Sequence, residues 1–208
     1  SATRACEMLT DRTKEYVAEL LLGKITDTQD TTGTVLEERE VAVDEAQVRE
    51  VIGSFVGGYD QIPPMYSALK VNGKKLYELA RAGKEVERQA RHVDLPAIEI
   101  LEIRLPVVKF RVECSKGTYI RSLCADIGGK LGCGGTMQSL VRTRVGEFRL
   151  TDALTLTQLQ ELRDTGRLEE ALLPTDRIFA DFNAVRVEAK WRKLIDNGNA
   201  FYPGQTME

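Results

Sequence analysis

The chain has 208 residues, 42% of them hydrophobic and 29% charged, with a net charge of −3. That is ordinary globular composition, long enough for one sizeable domain and a fragment of another. No apolar run is long enough to span a bilayer, the opening Ser1-Ala-Thr-Arg-Ala-Cys-Glu7 lacks the pattern of a secretory signal, and Cys6, Cys114, Cys124 and Cys133 form no Cys-x-x-Cys pair. The expectation is a cytoplasmic protein with reduced core thiols, without membrane association, disulfide frame or metal site.

In chain order, Ser1–Thr10 reads as the end of a helix. Lys14–Leu22 reads as a strand, with Tyr16, Ala18, Leu20 and Leu22 on one side and Gly23 as its stop. A polar loop, Ile25–Gly33, leads to a short strand over Thr34–Glu37. Asp44 and Gln47 have the spacing of a capping box and open a helix through Phe55, closed by Gly57-Gly58. Pro63-Pro64 blocks both helix and central strand. Met65–Val71 is expected as a strand, Asn72-Gly73 as a turn, and Lys74–Ala82 as a helix with Leu76, Leu79 and Ala80 inward and Gly83 as its stop. Val86–Ile103 supplies further strand.

Val107–Cys114 alternates, with Val108, Phe110, Val112 and Cys114 on one face. After Lys116-Gly117 the period changes. Ile120, Leu123, Cys124, Ile127 and Leu131 recur at helical spacing, and Gly132 follows as a stop. Arg121 falls in the first turn of that helix, where the amide-positive end disfavours a cation. It is either paired with a carboxylate or aimed at a phosphate. Gly134–Leu150 reads as extended, with Leu140, Arg142 and Arg144 on one face. Thr155–Thr165 is a helix ended by Gly166, Leu172-Leu-Pro174 suggests a linker, and Val185–Glu208 is a strand followed by a helix ending at Asn197-Gly198.

These elements imply an α+β fold, a mixed and largely antiparallel sheet with helices packed on it. The regular alternation of a doubly wound sheet is missing, as are Gly-x-Gly-x-x-Gly and Walker loops, so no nucleotide cofactor is expected. His92, the one histidine, lies in the basic run Arg88–Val93 and reads as a surface side chain. Charge is uneven: residues 104–149 carry 9 Lys/Arg against 3 Asp/Glu, whereas residues 1–60 carry 6 against 13. A local basic segment matters more to a polyanion than the total does.

Several blocks, in order, resemble the bacterial tRNA pseudouridine synthases of the TruB type. They are Lys14-Glu-Tyr16 with Leu22-Gly23, Thr26-Asp-Thr-Gln-Asp30 with Gly33, and Gln61-Ile-Pro-Pro-Met-Tyr-Ser-Ala-Leu-Lys70 with Asn72-Gly73-Lys74. Leu76–Arg81 with Gly83, Cys114–Arg121, Leu131–Gly134 and Leu140-Val-Arg-Thr143 follow. The resemblance implies a catalytic core over residues 1–178 and the start of a PUA-like RNA-binding module over 179–208. It implies isomerisation of uridine to pseudouridine in the T-loop of tRNA (uridine-55), without cofactor, by a protein that is monomeric when full length and meets its substrate through the T-arm. The family's Gly-x-Leu-Asp-Pro motif, which bears the nucleophilic aspartate, is not among these residues, so this chain alone is expected to be inactive. The alternative is an inactive tRNA-binding or RNA-folding protein on the same scaffold.

Residue by residue, the resemblance makes Tyr16 an active-site tyrosine, Arg121 the partner of the catalytic aspartate, and Leu140 the apolar support under the base. By their own pattern Tyr16 and Leu140 are also ordinary strand residues. Asp30 resembles an acid near the target nucleotide, and as a residue type it also suits a turn. Tyr66 and Tyr119 are expected as aromatic supports, and Lys70, Lys116 and Arg142 as phosphate contacts. Lys74 and Arg81 join them by charge.

Overall fold

The computed structural model describes residues 6–71, 73–180, 182–200, 202 and 204–207. The chain divides into two compact units, one from Cys6 to Leu154 and one from Thr155 onward.

The first unit is built on a five-stranded sheet. After α1 (Cys6–Thr10) the expected strand is β1 (Lys14–Leu22), and Gly23, at φ +85°, turns the chain out of it. β2 (Lys24–Thr26) and β3 (Val35–Glu38) form a hairpin, so the polar loop starts later than its composition suggests. α2 (Glu45–Gly53) starts at the expected capping box: the Gln47 amide N–H donates to Asp44 Oδ1 (2.9 Å), and the Asp44 N–H donates to Gln47 Oε1 (2.9 Å). Asp44→Ala is expected to lower stability by about 1 kcal/mol, read as a lower urea midpoint at unchanged m-value.

β4 (Tyr59–Gln61) pairs with β7 (Arg91–Val93). Of the strand expected over Met65–Val71, only β5 (Lys70–Val71) forms, paired with β6 (Lys74–Lys75). Pro63 and Pro64 turn the chain just before it, and Ser67 spends its backbone on a local bond to Met65 and one to Tyr77. Asn72 lies outside the described residues; Gly73 has φ +79°. α3 (Leu76–Arg81) is shorter than expected, with Leu76 as its buried residue.

β8 (Ala97–Arg104) and β9 (Val107–Cys114) lead into α4 (Ile120–Lys130), then β10 (Gly135–Val145) and β11 (Phe148–Arg149). The sheet runs β11-β10-β1-β9-β8, antiparallel throughout. α4 packs on the face formed by Ala18, Leu20, Leu22, Val108, Phe110 and Val112, and its own Leu123, Cys124 and Ile127 are buried there. Each such aliphatic side chain stabilises the fold by about 2 kcal/mol relative to exposure. The opposite face is polar, with Glu113–Arg144 (2.7 Å) and Glu19–Lys109 (3.7 Å) ion pairs.

Two register shifts decide how β10 presents its side chains. Glu15 lies opposite Arg144 and Tyr16 opposite Arg142, so Thr143 is an extra residue in β10. Leu140 and Arg142 therefore share the face of Ala18 and Tyr16, while Arg144 is turned to the other face, onto Glu113. Strict alternation, which puts Arg142 and Arg144 together, fails at this bulge.

In the second unit, Thr155 caps α5 (Leu156–Asp164) in a capping box with Gln158, and Gly166 (φ +71°) ends the turn after it. The expected strand and helix beyond Val185 are β12 (Arg186–Val187), paired with β13 (Thr206–Met207), and α6 (Arg192–Asp196), followed by Gly198 at φ +66°. Among the described residues no helix is long and apolar enough to cross a membrane.

Candidate active site

The loop between β2 and β3 is fastened on several sides. Thr26 Oγ1 donates to the Asp30 carbonyl (2.8 Å) and shares a 3.0 Å bond with Thr136 Oγ1 of β10. Gln29 adopts φ +64°, unusual for a residue other than glycine. It is held there by the Met137 N–H, which donates to its carbonyl (3.0 Å), and by Ser122 Oγ of α4, which donates to its Oε1 (2.7 Å).

This loop aims Asp30 at the start of α4. Asp30 Oδ1 accepts from Thr28 Oγ1 (2.9 Å), the Thr32 N–H (3.1 Å) and Thr32 Oγ1 (2.5 Å). Its Oδ2 faces Arg121 Nη1 at 3.1 Å, with both side chains mostly buried. Burial would raise the Asp30 pKa, but the bonds from Thr32, Thr28 and Arg121 outweigh it and hold the carboxyl below its ordinary 3.8. Because the folded value is the lower one, the stability this adds is full above pH 3.8 and is lost as pH falls through the depressed value.

Arg121 ties three segments together. Nη1 also donates to the Thr28 carbonyl (3.1 Å), and Nη2 donates to the Tyr66 carbonyl (2.7 Å). The cation at the helix start is thus matched by a carboxylate of this chain. The sequence gives Arg121 and Asp30 separate roles and places the arginine's partner outside these residues. The structure brings them into one ion pair.

On β10, the sheet face that α4 covers carries exposed side chains. Tyr16 is half-buried and packed against the core, Leu140 is 39% exposed, and Arg142 is exposed opposite Tyr16. Tyr66 meets Arg121 through its backbone, and Tyr119, just before α4, is held by Gln61. Lys116 is exposed, ion-paired with Asp11, and lines a cavity of about 130 Å³ with Gln61, His92 and Tyr119. Lys70 lines a cavity of about 220 Å³ with Leu76 and Arg88, and this cavity shares Pro63, Leu69 and Arg91 with the first. His92 is a surface residue facing Asp60 (3.1 Å).

The sequence pattern assigns no role to Gln61, Thr28, Thr32, Gln29 or Ser122. Threonines two residues either side of Asp30 were the available signal, since such hydroxyls favour local turns around a carboxylate. Cys114, Cys124 and Cys133 are buried free thiols, and burial pushes Cys114 up to about 11.

Residues 1–120 match the family model for the TruB family pseudouridylate synthase N-terminal domain, and residues 121–180 match that for the tRNA pseudouridylate synthase B C-terminal domain. The chain belongs to the TruB family. Curated TruB relatives include tRNA pseudouridine synthase B of Alkaliphilus oremlandii, 48% identical over 97% of this chain and 66% of the relative. That of Lachnoclostridium phytofermentans is 50% identical over 96% and 67%. A solved Cbf5–Nop10–Gar1 complex contains a chain similar to this one at TM-score 0.70 and 28% identity, over 94% of this chain and 52% of that one. An archaeal box H/ACA Nop10–Cbf5 complex gives TM-score 0.70 at 25% identity, over 99% and 54%. The chain thus spans about two thirds of the length of these TruB relatives and about half of the solved chains.

Proposed function

We propose that the protein isomerises uridine to pseudouridine in the T-loop of tRNA, at uridine-55, as a cytoplasmic monomer. The observation that carries this reading, beside TruB membership, is the Arg121–Asp30 pair at the start of α4, with Tyr16, Leu140 and Arg142 on the sheet face that α4 covers. The reaction breaks the C1′–N1 bond, turns the base, and forms C1′–C5. C5 gives up a proton and N1 gains one, so no redox partner is required. The target base leaves the stack to reach the site. Tyr16 offers a ring face for stacking and a hydroxyl for proton movement, Leu140 an apolar wall, and Arg121 a fixed cation that orients a carboxylate. Arg142, Lys116 and Lys70 meet phosphates, Tyr66 and Tyr119 support the base, and residues 179–208 open a PUA-like module.

Asp30 is a poor nucleophile, because its carboxylate already accepts four hydrogen bonds and its basicity is lowered. We therefore assign it to holding Arg121, and assign the nucleophilic carboxylate to a residue outside these 208. The test is mass-spectrometric mapping of an unmodified tRNA transcript. The native full-length protein is expected to convert the T-loop uridine, and the 208-residue chain to convert none. Turnover by the isolated chain would return the nucleophile to Asp30. Binding without turnover by the native protein would favour the RNA-binding scaffold.

Binding by the 208-residue chain is expected to be weak, salt-steep and alike for T-arm and other folded RNA. Arg142→Glu is expected to weaken it about 10-fold on all RNAs, and Lys116→Glu less, because Asp11 already meets that lysine. Anisotropy at several salt concentrations measures both. Tight, salt-insensitive binding selective for the T-arm would contradict it.

A further inference from the structure

Gln61 ends β4 and is 2% exposed, an unusual degree of burial for a glutamine. Its amide reads the backbone of one residue on both sides. The Tyr119 N–H donates to Gln61 Oε1 (2.8 Å), and Gln61 Nε2 donates to the Tyr119 carbonyl (3.0 Å). Nε2 also donates to the Tyr59 hydroxyl (2.6 Å), which donates to Asp126 Oδ2 of α4 (2.7 Å). Both amide hydrogens are used, and the orientation is forced. A backbone N–H can only donate and a carbonyl can only accept, so a flipped amide would lose both bonds to Tyr119.

Tyr119 is the N-cap of α4, and its own side chain makes no capping bond. Arg121 lies two residues on, and its Nη2 grips Tyr66, five residues beyond Gln61. The segment from β4 to Tyr66 is therefore tied to the helix start twice, once by each side chain.

We infer that Gln61 is a positioning residue for the isomerisation, a side-chain clamp that sets the first turn of α4 so that Arg121 holds its place beside Asp30. The inference rests on the reading that this ion pair belongs to the active site. Gln61 acts through Arg121. Its loss shifts the guanidinium by a fraction of an ångström to an ångström, which damages the chemical step more than RNA affinity.

The experiment uses the native full-length protein and an unmodified T-arm stem-loop RNA. Gln61→Met keeps the length and removes every hydrogen bond. It is expected to lower single-turnover kcat by about 10-fold or more, with RNA Kd within about twofold of wild type. Gln61→Glu supplies a sharper readout. Its introduced carboxyl can donate to Tyr119 only while protonated, so the ratio of its kcat to wild type is expected to fall as pH rises.

The groups facing this position are Tyr59 and, through it, Asp126, with Arg91, His92 and Lys116 along the cavity on its other side. The phenol stays a donor across the assay range, since burial and Asp126 hold it above its ordinary value. These groups set the midpoint of the profile, and the donor count sets its direction. If the Gln61 variants do not fold, Tyr59→Phe cuts the same chain one step away and keeps the ring contact with Phe55; about a threefold loss of kcat at unchanged Kd is then expected. Wild-type kcat, or equal losses in kcat and affinity with a pH-independent ratio, overturns the inference. Arg121→Lys is run alongside. If it turns over normally, the active-site reading itself has failed; if it is impaired while the Gln61 and Tyr59 variants are not, only the clamp has.

Discussion

Arg121→Ala in the native protein is expected to reduce pseudouridine formation by about a thousandfold, and to lower stability by about 2 to 3 kcal/mol. The two losses have one origin. The guanidinium satisfies Asp30 and the carbonyls of Thr28 and Tyr66, and alanine leaves all three acceptors facing a mostly buried gap. Arg121→Lys keeps the charge, but its single ammonium cannot reproduce the planar fork that reaches Asp30 and Tyr66 from different nitrogens. Its stability loss is expected to be smaller and its loss of turnover still about a hundredfold. Asp30→Asn completes a double-mutant cycle. If the pair acts as one unit, adding Asp30→Asn to Arg121→Ala costs much less than the two single losses combined. Single-turnover kinetics and urea melts of the three variants decide it. Additive losses would show that the two residues act separately despite their 3.1 Å approach.

The second large effect lies in a glycine contact. A Cβ at Gly128 would overlap the backbone of Gly134 and Gly135, so α4 touches the start of β10 without any side chain between them. The Gly134 N–H donates to the Gly128 carbonyl there (2.9 Å). A Cβ at Gly135 would lie 2.8 Å from Leu20 Cδ1 and 2.9 Å from the Cys124 carbonyl, so the crowding is mutual. Gly128→Ala is expected to cost about 3 kcal/mol or more, because helix and strand must separate and the core around Leu20 and Leu123 opens. Gly129→Ala, one residue on, is expected to have the opposite sign. A Cβ there meets nothing within 4 Å, and alanine is the better helix former by up to about 1 kcal/mol. Melting curves of the two variants test the contact. Equal melting temperatures would show that α4 is not seated on these glycines.

β1, β9 and α4 were legible in the sequence because each buries one face, and one buried face imposes a period of two or of 3.6 on the residues themselves. The Asp44–Gln47 cap was legible because a capping box is closed within four residues. Arg121 could be singled out as a cation at a helix start in need of a counter-charge, which is also local information. Met65–Val71 misled because apolar content alone does not supply a pairing partner, and the two prolines and the local bond at Ser67 set the backbone there. The face of Arg144 misled because Thr143 bulges, and a bulge exists only in the pairing of β10 with β1.

By itself, then, the sequence determined the α+β class, the main strands and the α4 helix, and, through blocks spread along the chain, the TruB family. Those follow from local periodicity and from residue order. Only the tertiary structure decided that Asp30 neutralises Arg121 across 91 positions, that Leu140 and Arg142 share a face with Tyr16, and that Gln61 clamps the backbone of Tyr119 at the helix start. Hydrogen-bond partners of a carboxylate, a guanidinium or an amide are set by direction and distance in space. Many polar side chains in this sequence could have served, and only the packing of α4 against β10 and β1 selects among them.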